Sequence, residues 1–209
     1  MQEGGVWLYN EVFRVTKNPL LWKDYEPIPF DKMHPSMLVS AACELFQHLH
    51  AGLDGLESES IATWTKVVEP LELLYDGYDR AMSIFELLAA ANQTLEAETA
   101  ARQGMALARG FGRRLRQSTA LYALLLRIRF RPSVSLELSD DQVRALDVWM
   151  TKMDEGGVNV ARNPAKLAQF NRLDDEETEL MRQFVDNVKQ GTAAFHLTLR
   201  NGRHLRGVP

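Results

Sequence analysis

The five histidines are the natural starting point for catalytic chemistry, and none has a catalytic spacing. A helical zinc hydrolase needs two histidines four residues apart with a glutamate after the first, as in H-E-x-x-H. His48 and His50 lie two residues apart, so they point to different faces of a helix. Glu44 and His48 do share a face; we interpret them as a surface pair, with a pair of metal ligands as the alternative. The sequence therefore predicts no catalytic residue and no metal ligand.

Nucleophile and phosphate-binding motifs are also missing from the sequence. It contains no G-x-S-x-G and no Walker A spacing. Gly110-Phe111-Gly112 lacks both the third glycine and the strand that a dinucleotide-binding loop requires. The single cysteine, Cys43, lies in a helix with apolar periodicity, and we expect it to be a small buried side chain.

One charge pattern stands out from an ordinary composition. Eight arginines and no acidic residue lie between Thr99 and Leu136. Five carboxylates cluster further on: Asp174, Asp175, Glu176, Glu177 and Glu179. We interpret the two groups as complementary solvated faces of neighbouring helices. An acidic protein partner is one alternative, and RNA is another because arginine contacts phosphates and stacks on bases.

The candidate partner-binding residues combine these arginines with tryptophans near the N-terminus. They are Arg109, Arg113, Arg114, Arg116, Arg127, Arg129, Arg131, Trp7 and Trp22.

Composition sets the class of protein. Of the 209 residues, 45% are apolar and 25% are charged, which is typical of a soluble globular protein. The net charge of −4 argues against a general polyanion binder. Apolar runs such as Leu121–Leu126 are far shorter than the roughly 20 residues of a membrane helix. We therefore expect a soluble, intracellular protein without a membrane span.

Apolar residues spaced three and four apart predict five helices, over about 34–56, 63–92, 95–130, 139–153 and 164–200. We expect Pro70 to kink the second helix. The last helix has an apolar stripe, made by Phe170, Leu173, Leu180, Phe184, Val188, Phe195 and Leu199. No segment alternates convincingly like a strand. The predicted fold is all-α, an elongated antiparallel bundle of about five helices.

Residues 1–33 are predicted to be an irregular arm, extended and rich in aromatic residues and proline, and 34–209 a single helical domain. Pro19, Pro27 and Pro29 interrupt any helix in the arm. We expect the arm to lie in a groove of the helical domain; a partner-binding tail is the alternative.

Six segments resemble a known family and follow its order. The most specific is Thr63–Glu72, which reads T-W-T-K-V-V-E-P-L-E and is close to the pattern T-W-x-x-L-V-E-P-L-E. The others are Asn18–Leu21, Ile28–Phe30, Gly157–Val160, Phe184–Val188 and His204–Pro209. Together they resemble the N-terminal helical region of the thimet oligopeptidase and oligopeptidase A family of zinc metallopeptidases, over about residues 18–209.

The resemblance implies a helical domain without the family's chemistry. In that family the zinc motif lies in a later catalytic domain, and the N-terminal helices form one wall of a channel that admits short peptides. No position here matches a zinc ligand or a general base. The resemblance therefore implies zinc and peptide substrates only if a separate catalytic domain is present.

Two functions stay open at this point. The first is a non-catalytic scaffold or interaction subunit, a truncated pseudoenzyme that binds protein partners in a larger assembly. The second is the N-terminal channel-wall fragment of a zinc oligopeptidase that degrades short peptides. The family resemblance makes a mitochondrion or chloroplast the expected compartment, with the cytoplasm as the alternative.

Overall fold

The computed structural model describes residues 33–91, 94–131 and 138–196, together with Asn18, Leu20 and Thr198. The described residues form six α-helices and no strand, which confirms the all-α prediction. The helices are α1 (Pro35–Glu57), α2 (Glu69–Ala91), α3 (Leu95–Arg116), α4 (Thr119–Phe130), α5 (Asp140–Glu155) and α6 (Pro164–Ala194). The chain divides into two compact units, residues 1–162 and 163–209.

Local capping sets the helix starts that the sequence predicted. Ser139 and Gln142 form a reciprocal capping box, in which the Ser139 hydroxyl accepts from the Gln142 amide and the Gln142 side chain accepts from the Ser139 amide. The Asn163 side chain accepts from the Lys166 amide at 3.2 Å, and Pro164 follows in the first turn. Such caps satisfy amides that have no partner within the helix.

The predicted single helix over 95–130 is wrong, because the structure breaks it in two. Gln117 ends α3, and Ser118 caps α4 by accepting a hydrogen bond from the Leu121 amide at 3.1 Å. Ser118 is buried, and this local hydrogen bond gives its hydroxyl a partner that water does not provide there. Apolar spacing continues on both sides of the break, and for this reason periodicity alone does not reveal it.

The structure has a change of helix type just before Pro70, where the sequence predicted that Pro70 kinks the interior of a single helix. A π-helical turn, Trp64–Val68, leads into α2, and Pro70 occupies the second position of α2. Proline is tolerated in the first turn of a helix because its missing N–H would have no partner there.

The core of the first unit is built mainly by α1, α2 and α3. Phe85 of α2 and Phe111 of α3 are fully buried within it. The ring of Phe85 packs directly on the backbone of Gly104, and the Tyr78 ring lies over Gly112. A side chain at either glycine would collide with a ring, so these glycines allow α2 and α3 to approach closely.

Asn18 attaches part of the N-terminal arm to α1. Its side chain donates to the Ala41 carbonyl at 2.8 Å and accepts from the Leu20 amide at 3.0 Å. Both Asn18 and Leu20 are buried.

Two further predictions concern Cys43 and membrane-spanning helices. The prediction that Cys43 is buried is wrong: its side chain is exposed, because it lies on the outer side of α1 between the buried Ala42 and Leu45. Among the described residues, no helix is long and apolar enough to span a membrane.

Candidate interaction surface

Arg114 of α3 is paired with side chains of α1, within the first unit. One terminal nitrogen of its guanidinium lies 2.9 Å from His50 Nδ1, and the other donates to Glu57 at 3.1 Å and also to Asp54. Burial, reinforced by the positive charge of Arg114, lowers the pKa of His50. Arg114 therefore links α3 to α1.

Three more of the candidate arginines contact other residues of the first unit. Arg129 of α4 pairs with Asp147 of α5 at 2.8 Å. Arg116 packs its aliphatic stem on the backbone of Gly156. Arg127 donates to the Ser60 carbonyl at 3.4 Å. These contacts use long aliphatic stems and charged heads together to join the helices.

The remaining candidates lie elsewhere. Arg109 and Arg131 are exposed. Arg113 lines an open cleft of about 550 Å³ where α3 turns into α4. Trp7 and Trp22 fall outside the described residues. A partner-binding role for these residues stays a prediction.

The described residues do not form a metal centre. No three histidine, cysteine, aspartate or glutamate side chains among them converge in a way that could hold a metal ion. His50, Asp54 and Glu57 converge on the Arg114 guanidinium instead. We therefore assign no step of zinc chemistry to them.

The α6 helix carries the largest set of exposed apolar side chains in the described part of the chain. None of its residues is buried. Leu180, Met181 and Phe184 are 58%, 59% and 63% exposed. With Leu173 and Val188, which are at least half exposed, they form a stripe that we call the α6 apolar face.

Two ion pairs lie on the polar side of α6. Arg182 donates to Glu179 and to Asp186, each at 2.6 Å. Hydrogen bonds from Arg182 and Gln183 lower the pKa of Glu179 to about 2. These pairs, three and four residues apart, stabilise an exposed helix.

Glu177 is different, because it lies within the α6 apolar face. It is one turn after Leu173 and one turn before Leu180 and Met181, so the helical repeat places it on the stripe. Its side chain is exposed and makes no ion pair with another described residue. The acidic cluster and the apolar stripe are both visible in the sequence, whereas the exposure of the stripe is given by the structure.

Comparison with known proteins agrees with this helical architecture. The sequence model of the family described as "Neurolysin/Thimet oligopeptidase, N-terminal domain" matches residues 42–164. The chain is 29% identical over 195 residues to "Organellar oligopeptidase A, chloroplastic/mitochondrial" of Arabidopsis thaliana, and 27% identical over 195 residues to "Probable cytosolic oligopeptidase A" of the same plant. Each match covers 93% of this chain but only 24% and 27% of the relatives, so the chain spans about a quarter of their length.

Proposed function

Because the chain belongs to the neurolysin/thimet oligopeptidase N-terminal domain family, we propose that it is a non-catalytic helical module that binds another protein in a larger assembly. The α6 apolar face is the observation that carries this proposal. Soluble monomers rarely expose a large contiguous apolar patch, and such patches mark interaction sites. Covering this face with a partner removes its apolar area from water and so favours association.

The contrast between the two units supports this proposal. The first unit buries large side chains such as Phe85, Phe111 and Ile128 in its own core. The α6 helix is amphipathic, yet it buries none of its residues. An amphipathic helix in a protein gains most of its stability from packing its apolar face, so α6 gains most when a second polypeptide packs against it.

The test is to isolate the complex from the native source. The tagged endogenous protein should elute with a mass well above that of its own polypeptide, together with a partner in fixed stoichiometry. A Leu180→Glu/Phe184→Glu double variant should elute at the mass of the single chain. A wild-type protein that elutes as a monomer without a partner contradicts the proposal.

A second candidate function is the N-terminal wall of a zinc oligopeptidase that degrades short peptides. It is favoured by the two relatives, both named as oligopeptidases A, of which the chain matches about a quarter. In this alternative, the partner of α6 is the catalytic portion of such an enzyme, which supplies the zinc.

Peptide cleavage separates the two candidates. The purified chain is mixed with the catalytic portion of the organellar relative and a quenched fluorescent peptide. Cleavage that requires both components supports the channel-wall function. Tight binding to an unrelated protein, with no gain in cleavage, supports the non-catalytic module.

We propose that the complex is intracellular and located in the mitochondrion or chloroplast, with the cytoplasm as the alternative. The printed names of the two relatives, one organellar and one cytosolic, support this. Imaging a C-terminal fluorescent fusion with organelle markers tests it.

A further inference from the structure

We propose that His50, Asp54 and Arg114 form a proton-sensitive link between α1 and α3. While the His50 imidazole is neutral, it and Asp54 both accept hydrogen bonds from Arg114. When the imidazole takes up a proton, Asp54 pairs with His50 on its own helix, and Arg114 turns to Glu57. This inference concerns the first unit alone and goes beyond the proposed function, since it requires no partner.

The contact between His50 and Arg114 determines which imidazole nitrogen carries the proton. A guanidinium has donors and no acceptor, so His50 Nδ1, 2.9 Å from an Arg114 nitrogen, must be the acceptor. The neutral imidazole therefore carries its hydrogen on Nε2. A proton added to Nδ1 would point at the guanidinium, and a hydrogen bond would become a contact between two like charges.

Asp54 is the carboxylate that changes partner. It lies four residues after His50, on the same face of α1, and accepts a hydrogen bond from Arg114. Once His50 is charged, Asp54 has two cations within reach, and these cations repel each other. Arg114 already donates to Glu57 at 3.1 Å. Moving the guanidinium from Asp54 towards Glu57 relieves the repulsion and leaves each cation with one carboxylate.

The surroundings of His50 determine when the link changes. Among the described residues, the charged groups that face this cluster are Asp54 and Glu57 of α1 and Arg114 of α3. The ring of Phe111 meets the imidazole edge to face, with 5.2 Å between the ring centroids. Burial and the charge of Arg114 lower the pKa of His50, and they outweigh Asp54, which raises it. The imidazole is therefore neutral at neutral pH and becomes charged on acidification.

The change of partner alters the end of α3. Arg114 lies in the last turn of this helix, and both Arg114 and Glu57 line the open cleft where α3 turns into α4. At neutral pH the guanidinium joins α3 to three side chains of α1. In acid it keeps Glu57 alone of these three. Acidity thus controls both the link between the two helices and the position of a cation in the cleft.

The first experiment measures the tautomer and the pKa of His50. Nitrogen NMR of the full chain with labelled histidine should show the hydrogen on Nε2 at about pH 7.5, with His50→Asn assigning the signal. Asp54→Asn should lower the pKa of His50 by at least about 0.3, and Arg114→Gln should raise it by at least about 0.3. The Asp54 side chain is 65% exposed, so its variant keeps the fold. A hydrogen on Nδ1, or a pKa that neither variant moves, overturns the inference.

The second experiment follows the exchange of partners. A double-mutant cycle of Arg114→Gln and Asp54→Asn gives their coupling in the free energy of unfolding at about pH 7.5 and about pH 5. The coupling should fall to less than about half in acid, and it should persist when His50→Asn is the background. A His48→Asn background is the matched control and should behave like the wild type. A coupling that acid leaves unchanged, or that falls equally in the His50→Asn background, overturns the inference.

Discussion

Leu180 and Phe184 lie one helical turn apart on α6, and more than half of each side chain is exposed. Both belong to the same apolar face, which also carries Glu177. In the first unit, residues of the same chemical types lie inside a closed core. This difference between two parts of one chain is the basis of the functional account.

The first prediction compares two phenylalanines. Phe184→Ser should change the free energy of unfolding by no more than about 0.5 kcal/mol, because the ring is exposed in the isolated chain. Phe85→Ala should cost about 3–5 kcal/mol, because the Phe85 ring is fully buried. Urea unfolding followed by circular dichroism measures both. A loss above about 2 kcal/mol for Phe184→Ser shows that the isolated chain already packs this face.

The second prediction compares two glycines of α3. Gly104→Ala should destabilise the protein, since the added methyl group would collide with the Phe85 ring. Gly110→Ala should stabilise it by up to about 1 kcal/mol, because its site is open and alanine is the better helix former. Thermal unfolding of the two variants checks the signs. If Gly104→Ala is as stable as the wild type or more stable, the close contact between α2 and α3 is wrong.

The third prediction concerns pH. His50 has a pKa below its ordinary value, so on acidification the unfolded chain takes up the proton first. The contribution of His50 to stability is complete above about pH 6.5 and is lost as the pH falls toward its folded-state pKa. His50→Asn keeps a hydrogen-bond acceptor near Arg114 without a titrating group. The variant should lose less stability than the wild type between about pH 7.5 and about pH 5.5.

The control for this prediction is His48→Asn, which makes the same substitution two residues away on another face of α1. It should follow the wild-type pH profile more closely than His50→Asn does. If the His50→Asn and wild-type profiles are parallel, His50 does not carry the pH dependence.

The fourth prediction tests the break between α3 and α4. Ser118→Ala should cost about 1–2 kcal/mol, because it removes the acceptor for the Leu121 amide at a buried cap. Ser118→Asp retains an acceptor and should lose less. Chemical denaturation measures both. Full stability in Ser118→Ala would mean that the two helices continue through residue 118.

Much of the fold could be predicted from the sequence because its signals are local. The capping box at Ser139 and the cap at Asn163 depend on residues three positions apart, so the starts of these two helices follow from local sequence. Periodicity does not predict the break at Ser118, because apolar spacing continues across it. The exposure of Cys43 does not follow from periodicity, which locates a helix more reliably than the edge of its buried face.

The partners of the arginines could not be predicted from the sequence. Arg114 contacts Glu57 from 57 positions away, and no local pattern links these residues. Arg129 of α4 donates a hydrogen bond to Asp147 of α5, eighteen residues further along the chain. The position of Glu177 within an apolar stripe can be read from the sequence. That the neighbouring apolar side chains are exposed is shown only by the structure.

Hydrogen exchange of α6 tests the central claim most directly. Amide exchange is measured by mass spectrometry on the isolated chain and on the native complex. The account predicts that residues 173–188 exchange more slowly in the complex, while the core helices α1 and α3 change little. Unchanged exchange over 173–188, with new protection confined to the first unit, would contradict it.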